Sequence, residues 1–194
     1  RDSSTSRGLG DVYKRQLHKI VNAIIAVYIE VFRGTPMMVQ AMVIYWGYAF
    51  LNDGATLPLI PAGLFIVSIN TGAYMAEIVR GGLASVPAGQ YEAARSQGFS
   101  APQMYLYIIL PQALRNMVPA LLSQFVTTIK DTSYLWGAMA LQELMGRGMI
   151  LMNSYNSTVQ IFAIFGLMAL IYFVVCFTLS QIVRAYQRRL KGAR

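Results

Sequence analysis

Charge is what this chain has least of. Charged residues make up 12% of its 194 residues, about half the share of an ordinary soluble domain. Hydrophobic residues reach 56%, and the mean hydropathy is +0.47. Cysteine occurs once, as Cys176 inside an apolar run, so neither an intrachain disulfide nor a thiol-built metal site can be assembled. Histidine also occurs once. His18 stands among polar residues with no ligand partner nearby, which leaves zinc or histidine catalysis without material. The net charge is +8, but the Lys and Arg residues cluster at the two ends and in a central loop. They form no basic stripe interleaved with aromatics, which argues against nucleic acid as a partner. A phosphate-binding glycine loop of the P-loop type is missing too, so ATP hydrolysis is not expected of this chain.

Long apolar runs take the place of these features. Arg1 to Gln16 stands apart, with four basic and two acidic residues and no apolar core of the kind a signal peptide needs. It is read as an unrelated leader, with a short disordered tail as the alternative. From Leu17 the chain turns apolar up to Phe32, breaks at Arg33-Gly34-Thr35-Pro36, and resumes from Met37 to Leu51. Fifteen residues are short for a span of roughly 20, so that helix is expected to begin before the break and to kink at it. Leu59 to Val79, Gln112 to Ile129 and Val159 to Val183 supply three further crossings. The segment from Glu143 to Thr158 reads as a polar loop. The expected fold is all-α and polytopic, with about four membrane helices across residues 17–190 and a basic tail at 191–194. Arg80, Arg95 and Arg115 mark the central loop, and Arg184, Arg188, Arg189, Lys191 and Arg194 the C-terminus. The loops at 52–58 and 144–158 carry no basic residue and one, respectively. The central loop (81–111) and the C-terminus are therefore expected in the cytoplasm.

Within that loop, Gln90 to Pro111 is polar and helix-prone between long apolar neighbours. Pro87 can open a helix, Glu92 to Arg95 favour one, and Gly98 suits the left-handed turn that ends it. Ser100 and Gln103 have capping-box spacing, with Pro102 in the new first turn. Pro111 is expected to stop or bend the second helix. Two short helices around one glycine suit a groove-filling recognition mode.

The spacing Glu92-Ala93-Ala94, three residues, Gly98, nine residues, then Ile108-x-Leu110-Pro111 resembles the EAA motif of ABC importer permeases. Arg33-Gly34-Thr35-Pro36 followed by Val39-Gln40, then Tyr74 to Gly82, and Lys130-Asp131-Thr132-Ser133 are similar to the polar-amino-acid subgroup of these proteins. Together they cover the chain from about Ile29 to Glu143. The resemblance implies a type I importer permease, lacking the extra membrane helix with which family members usually begin. It implies that Glu92, Ala93, Ala94, Gly98, Ile108, Leu110 and Pro111 form the coupling site for an ATP-binding subunit dimer. ATP and magnesium would belong to that dimer, and no cofactor to this chain. A second permease subunit, identical or homologous, an extracytoplasmic amino-acid-binding protein and the lipid bilayer complete the implied partners. The implied site is the bacterial cell (inner) membrane, and the cargo a polar amino acid.

Other residues stand out on their own. Asn70 and Thr71 lie near mid-span, which makes them candidates for lining a polar pathway. Lys130, Asp131, Thr132 and Ser133 close a membrane helix; they are read as a gate or extracytoplasmic mouth, or, with more weight, as a structural Lys130–Asp131 ion pair. Glu77 and Arg80 have the spacing of a same-face helical pair. Glu143 is a weaker candidate. Gly72 and Gly82 suit close helix packing, and the Tyr45-Trp46-Gly47-Tyr48 cluster suits an interfacial anchor. A secondary transporter or channel would need mid-membrane carboxylates or inverted repeats, and a membrane enzyme a nucleophile beside a base. Neither pattern is in the sequence.

Overall fold

A computed structural model describes the backbone of residues 3–192 and the side chains of residues 19–188. The side chains of the leader assigned to residues 1–16, of His18, and of Arg189, Lys191 and Arg194 in the basic tail lie outside the described residues. The elements run in the order α1 (Ser3–Gly34), α2 (Met37–Leu51), α3 (Leu59–Ala84), α4 (Ala88–Ser96), α5 (Ala101–Met104), a π-helical turn (Tyr105–Ile109), α6 (Leu110–Asp131), α7 (Tyr134–Met139), α8 (Leu144–Met152) and α9 (Thr158–Gly192). Among the described residues there is no strand. The backbone of α1 runs helically through the boundary that composition draws at Gln16.

The Arg-Gly-Thr-Pro break is a corner. The axes of Lys19–Gly34 and Met37–Leu51 meet at 111°, where a kinked but continuous span was expected. The residue before a proline is driven out of the helical region, and Pro36 itself is extended, with φ −64° and ψ 135°.

Among the described residues, two helices, Leu59–Ala84 and the stretch Thr158–Arg188 of α9, are long and apolar enough to cross a bilayer, and the bent pair makes a third if it counts as one span. The expected fourth crossing, α6, has 22 residues, or about 33 Å of helix. It carries Gln112, Arg115, Asn116, Ser123, Gln124 and Lys130 among its apolar residues, which keeps it below the apolarity of the others. Only 6% of the α9 window is buried. A helix apolar on all sides and exposed along its length presents itself to lipid.

Two apolar cores hold the bundle. One joins Met37, Ala41 and Tyr45 of α2 to Ala62 and Ile66 of α3 and to Leu135, Ala138 and Met139 of α7. The other joins Val86, Ala94, Met104 and Ile109 to Ala113 and Met117 of α6. Antiparallel packing of α3 on α6 connects them, with its register fixed by three contacts. The Thr71 and Thr128 hydroxyls are 3.1 Å apart, a Cβ on Gly82 would sit 2.7 Å from Met117 Cβ, and Asn116 Nδ2 donates to Ser85 Oγ at 2.8 Å.

The segment expected to be a polar loop at 143–158 contains α8. Leu-Met-Gly-Arg-Gly-Met-Ile-Leu-Met is apolar apart from one arginine, and Glu143 supplies the cap that starts it. Its carboxylate accepts from the Met145 amide and the Gly146 amide, each at 2.8 Å.

Candidate functional site

The unit between α3 and α6 is two short helices folded on a glycine, as its sequence suggests. Pro87 is the N-cap of α4. At the other end, the Phe99 amide donates to Ala94 O at 3.1 Å and the Gly98 amide to Arg95 O at 3.0 Å. This is the Schellman pattern, and it needs a left-handed residue, which Gly98 provides with φ +78°. Gln103 Oε1 accepts from the Ser100 amide at 3.0 Å and from its hydroxyl at 2.8 Å, fixing the start of α5. Tyr91 and Tyr105 meet edge to face with centroids 6.2 Å apart, which closes the two arms on each other.

Pro111 does not end the second helix. It has no amide for the Tyr107 carbonyl, and in α-helical register its ring would collide with that carbonyl. The chain widens into the π turn, where the Leu110 amide reaches Tyr105 O, and α6 starts with Pro111 in its first turn.

The motif residues divide by exposure. Glu92, Ala93 and Gly98 are on the surface, while Ala94 is buried in the unit's own core. Of the two alanines, only Ala93 is open to a partner. Ile108 packs at the edge of the core, Leu110 and Pro111 are exposed, and Ile109, outside the motif, is the fully buried residue.

The pathway candidates lie along α3 and at the end of α6. In the α3–α6 register Lys130 and Asp131 stand level with the middle of α3, between its ends at Leu59 and Ala84. They close α6 beside the middle of that helix. Both ion pairs among the described residues belong to Glu77, so the expected Lys130–Asp131 pair does not form. Lys130 instead borders a cleft of about 320 Å³ with Ser180 and Arg184 of α9. The Thr132 hydroxyl donates to Ile129 O at 2.8 Å and the Ser133 hydroxyl to Lys130 O at 2.7 Å. These bonds satisfy carbonyls that a helix end leaves open, so the four-residue motif builds a helix stop.

Asn70 and Thr71 are buried and bonded within the chain. Asn70 Nδ2 donates to Gln40 Oε1 at 2.7 Å. Gln40 Nε2 in turn lies 2.9 Å from Phe32 O, 2.9 Å from Thr35 O and 2.8 Å from Thr35 Oγ1. Gln40 therefore caps the carbonyls that α1 leaves open at its corner and ties that corner to α3. The Thr128 hydroxyl donates to Gln124 O at 3.0 Å, so Thr71 is the donor of the Thr71–Thr128 bond.

The Glu77–Arg80 pair forms, with Arg80 Nε 3.0 Å from Oε1 and 3.1 Å from Oε2. Arg33 joins it, 3.7 Å from Glu77 and 5.9 Å from the centre of the Tyr74 ring. Two of the sequence segments singled out above thus meet at one carboxylate. Sequence inspection missed this third partner and the bonding roles of buried Gln40 and half-buried Glu143. Their signal was a lone long polar residue inside or beside an apolar run.

Glu143 also accepts from the Tyr172 hydroxyl at 2.8 Å, which ties the start of α8 to α9. Glu143→Gln keeps one carbonyl oxygen for three donors. It is expected to lower stability in detergent by about 1.5 kcal/mol, and Tyr172→Phe by about 1 kcal/mol. Equal stability of wild type and both variants in a denaturant titration would show that this tie holds nothing.

The same arrangement recurs in proteins of known role. The sequence profile of the family described as binding-protein-dependent transport system inner membrane component matches residues 8–192. The glutamine transport system permease protein GlnP of Escherichia coli is 36% identical over 172 residues, 89% of this chain and 77% of that protein. The L-cystine transport system permease protein TcyB of Bacillus subtilis is 36% identical over 167 residues, 86% of this chain and 69% of that protein. A crystal structure of an amino acid ABC transporter with histidines superposes with a TM-score of 0.79 at 35% identity, over 88% of this chain and 77% of that one. The chain belongs to the inner membrane components of binding-protein-dependent transport systems, and is a membrane permease of the ABC transporter kind.

Proposed function

We propose that the chain is the permease subunit of an importer that moves a polar amino acid across the cytoplasmic membrane. ATP and magnesium are bound and used by a dimer of ATP-binding subunits. The observation that carries this reading is the α4–α5 unit: a compact, doubly capped helical pair that presents Glu92, Ala93 and Gly98 on its surface. Both of its arms are rooted in helices, α3 and α6, that pack on each other along their length. A push on the unit is therefore delivered to the bundle as one body. The basic residues of the central loop and the C-terminus support a cytoplasmic location for both. A second permease subunit, identical or homologous, would complete the path, with Lys130 and Asp131, level with the middle of α3, as candidate charged groups beside it. An extracytoplasmic binding protein would deliver the amino acid. Closure of the ATP-binding dimer supplies the free-energy difference between two global states, and this chain supplies the lever.

The test is substrate-stimulated ATPase activity of the assembled complex in vesicles. A side chain at Gly98 meets no atom within 4 Å, so Gly98→Val acts through the backbone. A left-handed L-residue costs roughly 1–2 kcal/mol. That strain should open the Schellman turn and reduce coupled turnover about tenfold, while the chain still inserts. Glu92→Ala should act in the same direction without strain. Transport that continues unchanged in both variants rules the reading out.

A further inference from the structure

A cleft of about 470 Å³ opens at the root of the coupling unit, lined by Ser85, Pro87, Pro111, Gln112, Arg115 and Asn116. We propose that this cleft receives an aspartate or glutamate side chain of the ATP-binding subunit, with Arg115 as the anchor. The inference rests on the docking role proposed above and names a second point of contact beside the exposed motif.

The cleft is an anion site by elimination among its own groups. Asn116 Nδ2 is engaged with Ser85 Oγ at 2.8 Å, and the Ser85 hydroxyl donates to Gly82 O at 2.6 Å. Gln112 Nε2 is engaged with Gln90 Oε1 at 3.2 Å and Ile108 O at 2.9 Å. Pro87 and Pro111 have no amide hydrogen to offer. One Asn116 amide hydrogen and the guanidinium of exposed Arg115 remain; Arg115 is the one cation lining the cleft, and among the described residues no carboxylate lies within ion-pair distance of it. No Asp or Glu lines the cleft.

A guanidinium presents a planar fork that matches a carboxylate with two parallel hydrogen bonds. The walls contain no aliphatic or aromatic side chain apart from the two prolines, so nothing there receives an acyl chain, which disfavours a lipid. The cleft lies between the two arms of the unit, at Pro87 and Pro111. A protein that covers the exposed motif is therefore already beside it. Arg95, exposed on α4, adds a second cation of the kind an acidic partner surface would meet.

The measurement is the dissociation constant between the purified chain and its ATP-binding subunit in lipid-free neutral detergent. It is made for wild type, Arg115→Gln, Arg115→Lys and Glu92→Ala over a range of salt. Arg115→Gln should weaken binding about tenfold and flatten the salt dependence, with Arg115→Lys between it and wild type. Helix content by circular dichroism should be unchanged in all variants. If Glu92→Ala weakens assembly and Arg115→Gln does not, the cleft inference falls while the docking reading stands. If neither variant weakens it, the docking reading falls and takes the cleft with it. A defect of Arg115→Gln that arises only in vesicles containing phosphatidylglycerol would assign the cleft to a lipid phosphate and overturn the proposal.

Discussion

Replacing Gln40 by leucine is expected to remove about 4 kcal/mol of stability, since each buried polar group left without a partner costs about 1–3 kcal/mol. Three groups lose their partner at once: the Phe32 and Thr35 carbonyls, and the amide of Asn70. Gln40 itself is only 7% exposed and Asn70 4%, so water does not readily reach the Asn70 amide, whereas the carbonyl of exposed Thr35 can turn to water. Gln40→Glu keeps the acceptor for Asn70 and loses the donor for the two carbonyls, which places it between wild type and leucine. The double variant Gln40→Leu/Asn70→Leu should be less destabilised than the sum of its parts, because the second change removes a group that the first had orphaned. Denaturant titration in detergent micelles reads all three. A loss under 1 kcal/mol for Gln40→Leu would mean that the α1–α2 corner is held by Pro36 alone.

Gln40 also marks where sequence reasoning runs out. The unit from Ala88 to Pro111 was legible because its determinants are local. Gly98 announces a left-handed turn, Ser100 and Gln103 a cap, and Pro111 a missing amide, and each acts within five residues. Even there, Pro111 announced a disruption without its form. Whether a helix stops or widens into a π turn depends on whether Ile109 finds a core on the far side, which it does against Val86, Ala113 and Met117. Gln40, Asn70 and Glu143 act across 30, 30 and 29 residues of chain respectively, and a one-dimensional pattern does not contain those pairings.

Depth is the second thing hidden from composition. Lys130 and Asp131 follow a helical run and so read as its outer end. The register of α6 on α3 puts them level with the middle of their neighbour. Beyond them the chain continues as α7, packed on α2 and α3, and then as α8. A helix that stops at mid-depth leaves backbone groups that must be satisfied by protein or by a water-lined path. The Thr132 and Ser133 hydroxyls do part of that. The ion pair at Glu77 was half legible: an (i, i+3) spacing shows Arg80, while Arg33 comes from another helix.

The other large effect is expected at Gly82. A Cβ there would lie 2.7 Å from Met117 Cβ, 3.3 Å from Met117 Cε and 3.4 Å from Ala113 O. Two of these three atoms cannot swing away, one being a Cβ and one a backbone carbonyl. Gly82→Val must therefore push α3 and α6 apart, at a cost of about 3 kcal/mol, and Gly82→Ala a smaller part of it. Gly81, one residue earlier, has nothing within 4 Å, and Gly81→Ala should gain up to about 1 kcal/mol from helix propensity. Met117→Ala should not rescue Gly82→Val, because alanine retains the Cβ that makes the closest contact. The damage should extend beyond stability. Gly82 sits where α3 leads into the α4–α5 unit, and Met117 and Ala113 sit where α6 leaves it. Separating the two helices there loosens the base through which a push must pass. Gly82→Val should therefore lose coupled transport at temperatures where it is still folded and still binds the ATP-binding subunit. A variant that is destabilised but fully coupled would show that the two arms need not move as one body.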